Sequence, residues 1–128
     1  MNERIKKLWI DTLRSGTVKQ AQRKLCIYDS KFKEYSFCCL GVLCEIYQSE
    51  ARNPENKLTE LKISNQEMGG GYSKYIYNQS DSYLPPEVML WAELKEALPV
   101  TKNGTSLSGA NDTGTSFEKI ADYIEKGL

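Results

Sequence analysis

The chain has four cysteines and no histidine, and these two facts limit its chemistry. Without histidine, acid–base or nucleophilic catalysis would rest on carboxylates, tyrosine or lysine. A zinc site usually combines spaced cysteine pairs with histidine, and Cys39 and Cys44, five positions apart, do not share a helix face well. We therefore expect no metal and no cofactor. The expected buried free thiols are Cys26, Cys38, Cys39 and Cys44.

The charges are unevenly distributed although the net charge is zero. A zero balance argues against binding to bulk nucleic acid. Residues 1–24 contain seven basic and two acidic groups, whereas residues from 81 onward contain eight acidic and four basic groups. Either these are ordinary solvated helix faces, or the basic segment faces a small anion such as a phosphate or an acidic partner.

The length of 128 residues predicts one domain that spans the chain, 1–128. The longest apolar run is far shorter than the roughly 20 residues that a membrane span requires, and the N-terminus does not resemble a signal peptide. We therefore expect a cytoplasmic protein with no membrane partner.

Helical periodicity and capping residues predict four helices. The second, around Cys39–Tyr47, is apolar on nearly all sides, so it should lie inside the core. Its N-terminus near Gly41 could hold a phosphate, or Gly41 could simply permit close packing. The four predicted helices start near Asn2, Cys39, Pro85 and Thr115.

Strand signals lie between these helices. Leu25–Ile27 and Tyr35–Phe37 form a predicted hairpin, and Tyr72–Tyr77 reads as a strand. Asn103-Gly104 predicts a tight hairpin turn. Residues 51–71 are predicted to be a long loop with a short strand near Leu61 to Ile63. The whole pattern predicts an α+β fold: a single compact domain of about four helices packed with short antiparallel strands and hairpins.

The segment Cys39-Leu40-Gly41-Val42-Leu43-Cys44-Glu45 resembles a widespread family of small, uncharacterised phage and prophage proteins. The resemblance covers most of the chain and includes a C-terminal segment, Asn111-Asp112-Thr113-Gly114-Thr115-Ser116-Phe117, followed by Ile120-Ala121-Asp122. The chain departs from the family at Ala110, where leucine is usual, and at Glu93, where glycine is common.

This resemblance implies a phage accessory protein acting in an infected bacterial cell. Small phage proteins without enzymatic motifs are often counter-defence factors, and one class of these sequesters nucleotide immune signals such as cyclic nucleotides or ADP-ribose derivatives. Such a ligand needs phosphate donors, an aromatic surface for a base, and amide or carboxylate groups for ribose and base edges. The residues that could supply these groups are Arg14, Gln20, Arg23, Lys24, Tyr28, Tyr75, Tyr77, Asn111 and Asp112.

The leading hypothesis is therefore a nucleotide sponge without catalytic residues, forming a homo-oligomer because such pockets often lie between subunits. Each residue also has a structural interpretation: Asn111 and Asp112 fit turn chemistry, Arg14 could complement its helix end, and the tyrosines could cover the core. The alternative function is an inhibitor that binds a host defence protein directly. An enzyme using Asp112 as a base is disfavoured because paired carboxylates and metal motifs are missing.

Overall fold

Five α-helices and four β-strands alternate along residues 1–128, all of which the computed structural model describes. This confirms the predicted α+β class, with five helices rather than about four. In chain order the elements are α1 (Glu3–Arg14), β1 (Cys26–Asp29), β2 (Glu34–Phe37), α2 (Cys39–Ala51), a 3₁₀ turn (Pro54–Asn56), β3 (Ile63–Gly69), β4 (Tyr72–Tyr77), α3 (Pro86–Ala92), α4 (Leu107–Asp112) and α5 (Phe117–Gly127).

Helix α2 lies at the centre of the core, as its composition predicted. Most of its residues from Cys39 to Cys44 are completely buried. Helix α1 contacts it through Trp9, whose indole Nε1 donates a 2.9 Å hydrogen bond to the Cys39 carbonyl. Because that carbonyl is in the first turn of α2, the bond fixes α1 against the start of the central helix.

The four strands form one antiparallel sheet in the order β2-β1-β4-β3. The predicted β1–β2 hairpin is confirmed, with Cys26 opposite Phe37. Cys26 is also opposite Tyr75 of β4, so these three side chains share one sheet face. This face contacts α2.

The prediction for residues 51–71 was wrong in its second half, because Ile63–Gly69 forms the edge strand β3. All seven residues of β3 are exposed, so the strand has no apolar alternation by which it could be recognised. Glycines 69, 70 and 71 all have positive φ and make the turn that leads into β4.

The predicted turn at Asn103-Gly104 is confirmed, but the strands that a hairpin would have on either side of it do not form. The turn is present and Gly104 has φ of +83°, but the flanks form only one isolated bridge, between Val100 and Ser106. Leu107 then starts α4 instead of ending a strand. Ser106 caps this helix by accepting a hydrogen bond from the Gly109 amide at 3.1 Å, which the strand interpretation had not considered.

The last helix starts one residue later than predicted. Ser116, not Thr115, is the N-cap residue, and its hydroxyl accepts a 3.2 Å hydrogen bond from the Lys119 amide. Phe117, Ile120 and Ile124 then face the core. Helix α5 packs along α1, so both ends of the chain contribute to a single core.

Candidate functional site

The nine predicted ligand residues do not form one site. Arg14 lies at the end of α1 and contacts α5, where its guanidinium is 2.7 Å from Asp122 and 3.3 Å from Glu125. Hydrogen bonds to Glu125 and Asp122 raise the pKa of Arg14 above its ordinary value. Its charge is therefore already balanced by two carboxylates from the neighbouring helix.

Asn111 is completely buried and all its polar atoms have partners within the protein. Its Oδ1 accepts hydrogen bonds from the Cys39 amide at 3.1 Å and from Gln20 Nε2 at 3.0 Å. Its Nδ2 donates to the Ala21 carbonyl at 2.8 Å. The predicted pair of Gln20 and Asn111 does come together, but as a tie between α4, the start of α2 and the segment before β1.

Asp112 and Arg23 add a second, exposed link between α4 and the segment before β1. The Asp112 carboxylate accepts a 2.7 Å hydrogen bond from the backbone amide of Arg23, which has a left-handed φ of +71°. The contact uses the main chain of Arg23, and its guanidinium makes no ion pair of its own. Together with Gln20, this side chain lines an open polar cleft of about 570 Å³ on the sheet face away from α2.

The N-terminus of α2 cannot hold a phosphate, so the first of the two interpretations of Gly41, a phosphate site, is wrong. A Cβ built on Gly41 would lie 1.8 Å from the Leu25 carbonyl oxygen, which shows that the glycine serves close packing. Three amides at this end already have partners: Cys39 donates to Asn111, Gly41 donates to the Cys38 sulfur at 3.4 Å, and Val42 donates to the Cys38 carbonyl at 3.1 Å. The site is filled by protein.

Lys24 contacts a carboxylate instead of open solvent. Its Nζ is 3.2 Å from Asp81, and Lys74 approaches the same carboxylate at 2.6 Å. All three side chains are at least partly shielded from solvent. The hydrogen bond from Lys74 is the main cause that lowers the pKa of Asp81 to about 2.

The three predicted tyrosines lie on the sheet face that contacts α2. Tyr28 and Tyr75 are linked through Tyr35, whose ring centroid is 4.7 Å from that of Tyr28 and 5.6 Å from that of Tyr75. Tyr77 is buried and its hydroxyl donates a 2.9 Å hydrogen bond to Glu45 of α2. Tyr35, which is 49% exposed, was not identified as a site residue from the sequence. It lies directly opposite Tyr28 in the β1–β2 hairpin, so the two side chains share one face.

Three of these tyrosines, Tyr35, Tyr75 and Tyr77, line an aromatic cleft of about 410 Å³ between the sheet and α2. Arg52, just after the last turn of α2, stands at its border with a side chain that is 60% exposed. Its only ionic contact is with Glu60, at 3.8 Å. Only the folded structure brings Arg52 to the tyrosines, and no sequence signal pointed to it. The lining residues are Cys26, Tyr35, Phe37, Glu45, Arg52, Ile63, Tyr75 and Tyr77.

The four cysteines are buried, as predicted, and free. Burial raises the pKa of the Cys26 thiol to about 12 and that of Cys38 to about 11. At neutral pH these thiols are protonated, which makes them poor nucleophiles. No group of three or more cysteine, aspartate or glutamate side chains is placed to hold a metal ion.

The fold and these clefts define a small α+β protein in which a four-stranded antiparallel sheet packs on a buried central helix. The chain belongs to the family described as Domain of unknown function (DUF8296), whose model matches residues 1–128. No curated protein and no solved structure matches the chain significantly. None of its helices has the length and apolar character that a membrane crossing requires.

Proposed function

We propose that this protein binds a small nucleotide in the aromatic cleft and sequesters it without cleaving it. The observation that carries the proposal is the presence of Arg52 beside an exposed tyrosine surface in one cleft. Its volume of about 410 Å³ lies within the range of small-molecule sites. An aromatic surface suits a base, and a guanidinium suits a phosphate.

Each part of a nucleotide has a matching group in the cleft. A base can stack on the exposed ring of Tyr35 beside Tyr75. Arg52 is free to rotate toward a phosphate, because an exposed ion pair of 3.8 Å holds it only weakly. Glu45 uses one carboxylate oxygen for the Tyr77 hydroxyl, so the other can accept from a ribose hydroxyl or a base amino group. The phosphate donor thus becomes Arg52 in place of Arg14 and Lys24, whose charges are already paired.

Binding without cleavage is supported by the protonation states around the cleft. Burial is the main cause that raises the pKa of Tyr77 above its ordinary value, and burial acts on Cys26 in the same way. Neither group is ionised at neutral pH, so neither is activated as a nucleophile or a base. These groups favour holding a ligand over reacting with it.

The phage setting is part of the proposal and rests on the resemblance of the segment around Cys39–Glu45. In that setting the ligand is a nucleotide immune signal of the host, a cyclic nucleotide or an ADP-ribose derivative, and the protein acts in the cytoplasm of an infected cell. A sponge of this kind lowers the free signal concentration by mass action, so it needs high affinity and no turnover.

A thermal-shift screen against cyclic di- and trinucleotides and cyclic or amino-acid-linked ADP-ribose tests the proposal. A ligand present at about 100 times its dissociation constant should add roughly 2.7 kcal/mol of stability, and it should be recovered intact after heating. Arg52→Ala and Tyr35→Ala should each weaken binding by at least about tenfold. The first removes a charged hydrogen bond to the phosphate and the second removes a stacking contact with the base.

Arg23→Ala is the matched control, because Arg23 is also an arginine that lines a cleft, but on the opposite sheet face. It should leave the affinity unchanged. Flat melting curves for the whole panel would refute the nucleotide proposal. Loss of binding with Arg23→Ala and retention with Arg52→Ala would move the site to the polar cleft.

A second candidate, an inhibitor that binds a host defence protein, is favoured by one observation. The turns of the two hairpins lie side by side, joined by a 2.9 Å hydrogen bond from the Ser30 amide to the Gly71 carbonyl. Apolar side chains are exposed around these turns, above all Phe32 at 64%. Capture of a host protein that Phe32→Ser abolishes, in a protein that binds no nucleotide, would support this function instead.

A further inference from the structure

The two edges of the sheet differ in how they are covered. Along β2, the segment before β1 closes the edge, because the Phe37 amide donates to the Lys19 carbonyl at 2.9 Å and the Ala21 amide donates to the Phe37 carbonyl at 2.8 Å. An ion pair between Lys19 and Glu34 covers the start of β2 at the same edge. Nothing comparable covers β3, in which all seven residues are exposed.

Alternation in the antiparallel ladder identifies the free backbone groups of β3. Lys62, just before the strand, bonds toward β4, since its carbonyl accepts from the Asn78 amide at 2.7 Å. Backbone direction alternates along a strand, so Ser64 and Gln66 also bond to β4. The amide and carbonyl groups of Ile63, Asn65 and Glu67 therefore point away from the sheet.

The sequence of β3 does not protect this edge. Natural edge strands usually carry lysine, proline or inward-pointing charges that prevent pairing. The strand Ile63–Gly69 has neither proline nor lysine, and Glu67 is its only charged residue. A bulge between Glu67 and Gly69 lies at the turn end only, so the first five residues stay regular.

We propose that β3 pairs with β3 of a second copy of this chain, forming a dimer with a continuous eight-stranded antiparallel sheet. The register places Asn65 on the twofold axis, opposite Asn65 of the other copy. Ile63 then lies opposite Glu67 of the other copy, and Glu67 lies opposite Ile63 of the other copy. This register pairs every outward group of the three residues and makes about six main-chain hydrogen bonds.

Side chains are compatible with this register. The single charge, Glu67, faces an isoleucine and not a second carboxylate, and the two Asn65 amides can bond each other. On the other face Ser64 lies opposite Gln66. Because Ile63 also lines the aromatic cleft, the second β3 extends the cleft wall, and both clefts open on the same side of the joint sheet. The dimer itself does not depend on ligand binding.

Charge substitution on the twofold axis tests this proposal. In sedimentation or light-scattering measurements the wild type should reach twice the chain mass of 14.6 kDa at high concentration. Asn65→Lys and Asn65→Glu each place like charges directly opposite one another, so each should raise the dissociation constant by roughly tenfold or more. An equal mixture of the two variants should restore the dimer, because opposite charges then face each other.

Gln66→Lys is the matched control, since it adds the same charge one residue away but opposite Ser64. It should leave the dimer intact, and circular dichroism should show that all three variants keep the fold. A wild type that stays monomeric at its highest attainable concentration would overturn the proposal. A dimer that Asn65→Lys leaves unchanged would do the same, because it would use another surface.

Discussion

Among single residues, Asn111 is the one whose predicted role changes most. As a ligand contact its loss should abolish binding and leave stability unchanged. The geometry leads to the opposite expectation, because Asn111→Ala would leave the Cys39 amide and the Ala21 carbonyl without their partner. Each unsatisfied buried group costs about 1–3 kcal/mol, so we expect a loss of roughly 3 kcal/mol or more in the free energy of unfolding.

Denaturant unfolding measures this loss directly. Asn103→Ala is the control: the same substitution at an exposed turn position should cost about 0.5 kcal/mol or less. If Asn111→Ala instead proved as stable as Asn103→Ala and lost nucleotide binding, Asn111 would be a ligand contact and not a structural tie.

Asp81 is a single residue that should make the free energy of unfolding depend on pH in the acid range. Its pKa is lowered to about 2, mainly by the hydrogen bond from Lys74 and then by that from Lys24. A carboxylate with a lowered folded-state pKa stabilises the protein above its unfolded value and loses that contribution as the pH falls. The loss should occur between about pH 4 and pH 2 and amount to ~1–2 kcal/mol, since the side chain is 22% exposed.

Urea midpoints measured from pH 6 down to pH 2 check the sign. Asp81→Asn should lower stability at pH 6 and make the curve flatter in the acid range than that of the wild type. Glu96→Gln, at an exposed position without an ion pair, should leave the curve unchanged. Equal slopes for the wild type and Asp81→Asn would show that this carboxylate contributes no acid sensitivity.

At the scale of elements, the contact between α2 and the segment that leads into β1 depends on one missing methyl group. Gly41→Ala would place a Cβ 1.8 Å from the Leu25 carbonyl oxygen, which is backbone and cannot rotate away. The helix would have to separate from the strand, so we expect a loss of at least about 3 kcal/mol, or a failure to fold. Thermal melting and soluble yield measure this effect.

Gly109→Ala provides the comparison in α4. There the nearest atoms are the Ser106 side chain at 3.2–3.3 Å, and alanine favours helix over glycine. We expect a change within about 1 kcal/mol of zero. A Gly41→Ala protein that melts like Gly109→Ala would mean that α2 can shift without disturbing the sheet.

Elements with strong local signals could be predicted from the sequence, and those with weak signals could not. Helix α2 was recognisable because its apolar side chains surround the helix. Strand β3 was not, because it is exposed on both faces, and neither was α4, whose six residues include serine, glycine, asparagine and aspartate. The tie of α4 to α2 through Asn111 depends on contacts between residues 72 positions apart.

The candidate site shows the same division. Tyr75 and Tyr77 are two positions apart in the predicted strand Tyr72–Tyr77, which implies a common face, and both line the cleft in the structure. Arg52 was not identified, because it belongs to another element and reaches the cleft only after α2 packs on the sheet. The sequence therefore identified Tyr75 and Tyr77 of the site, whereas Tyr35 and Arg52 were found only in the structure.

At the scale of the whole molecule, one core joins both ends of the chain. The buried cluster of 24 residues extends from Ile5 of α1 to Ile124 of α5. Arg14 adds ionic contacts between the same two helices. A domain with a single core of this kind should unfold in one cooperative step, with its least stable region at the uncovered sheet edge.

Amide hydrogen exchange, read residue by residue, should reveal both features in one experiment. Amides in the first half of α2, Cys39–Cys44, should exchange only through global unfolding, because these residues are all buried. In dilute protein, the outward amides of Ile63, Asn65 and Glu67 should exchange much faster than those of Ser64 and Gln66, which bond to β4. At high concentration the outward amides should become protected, while Asn65→Lys should keep them fast. Uniform protection along β3 in dilute protein would mean that the edge is already covered within one chain, and the basis for pairing two copies would be lost.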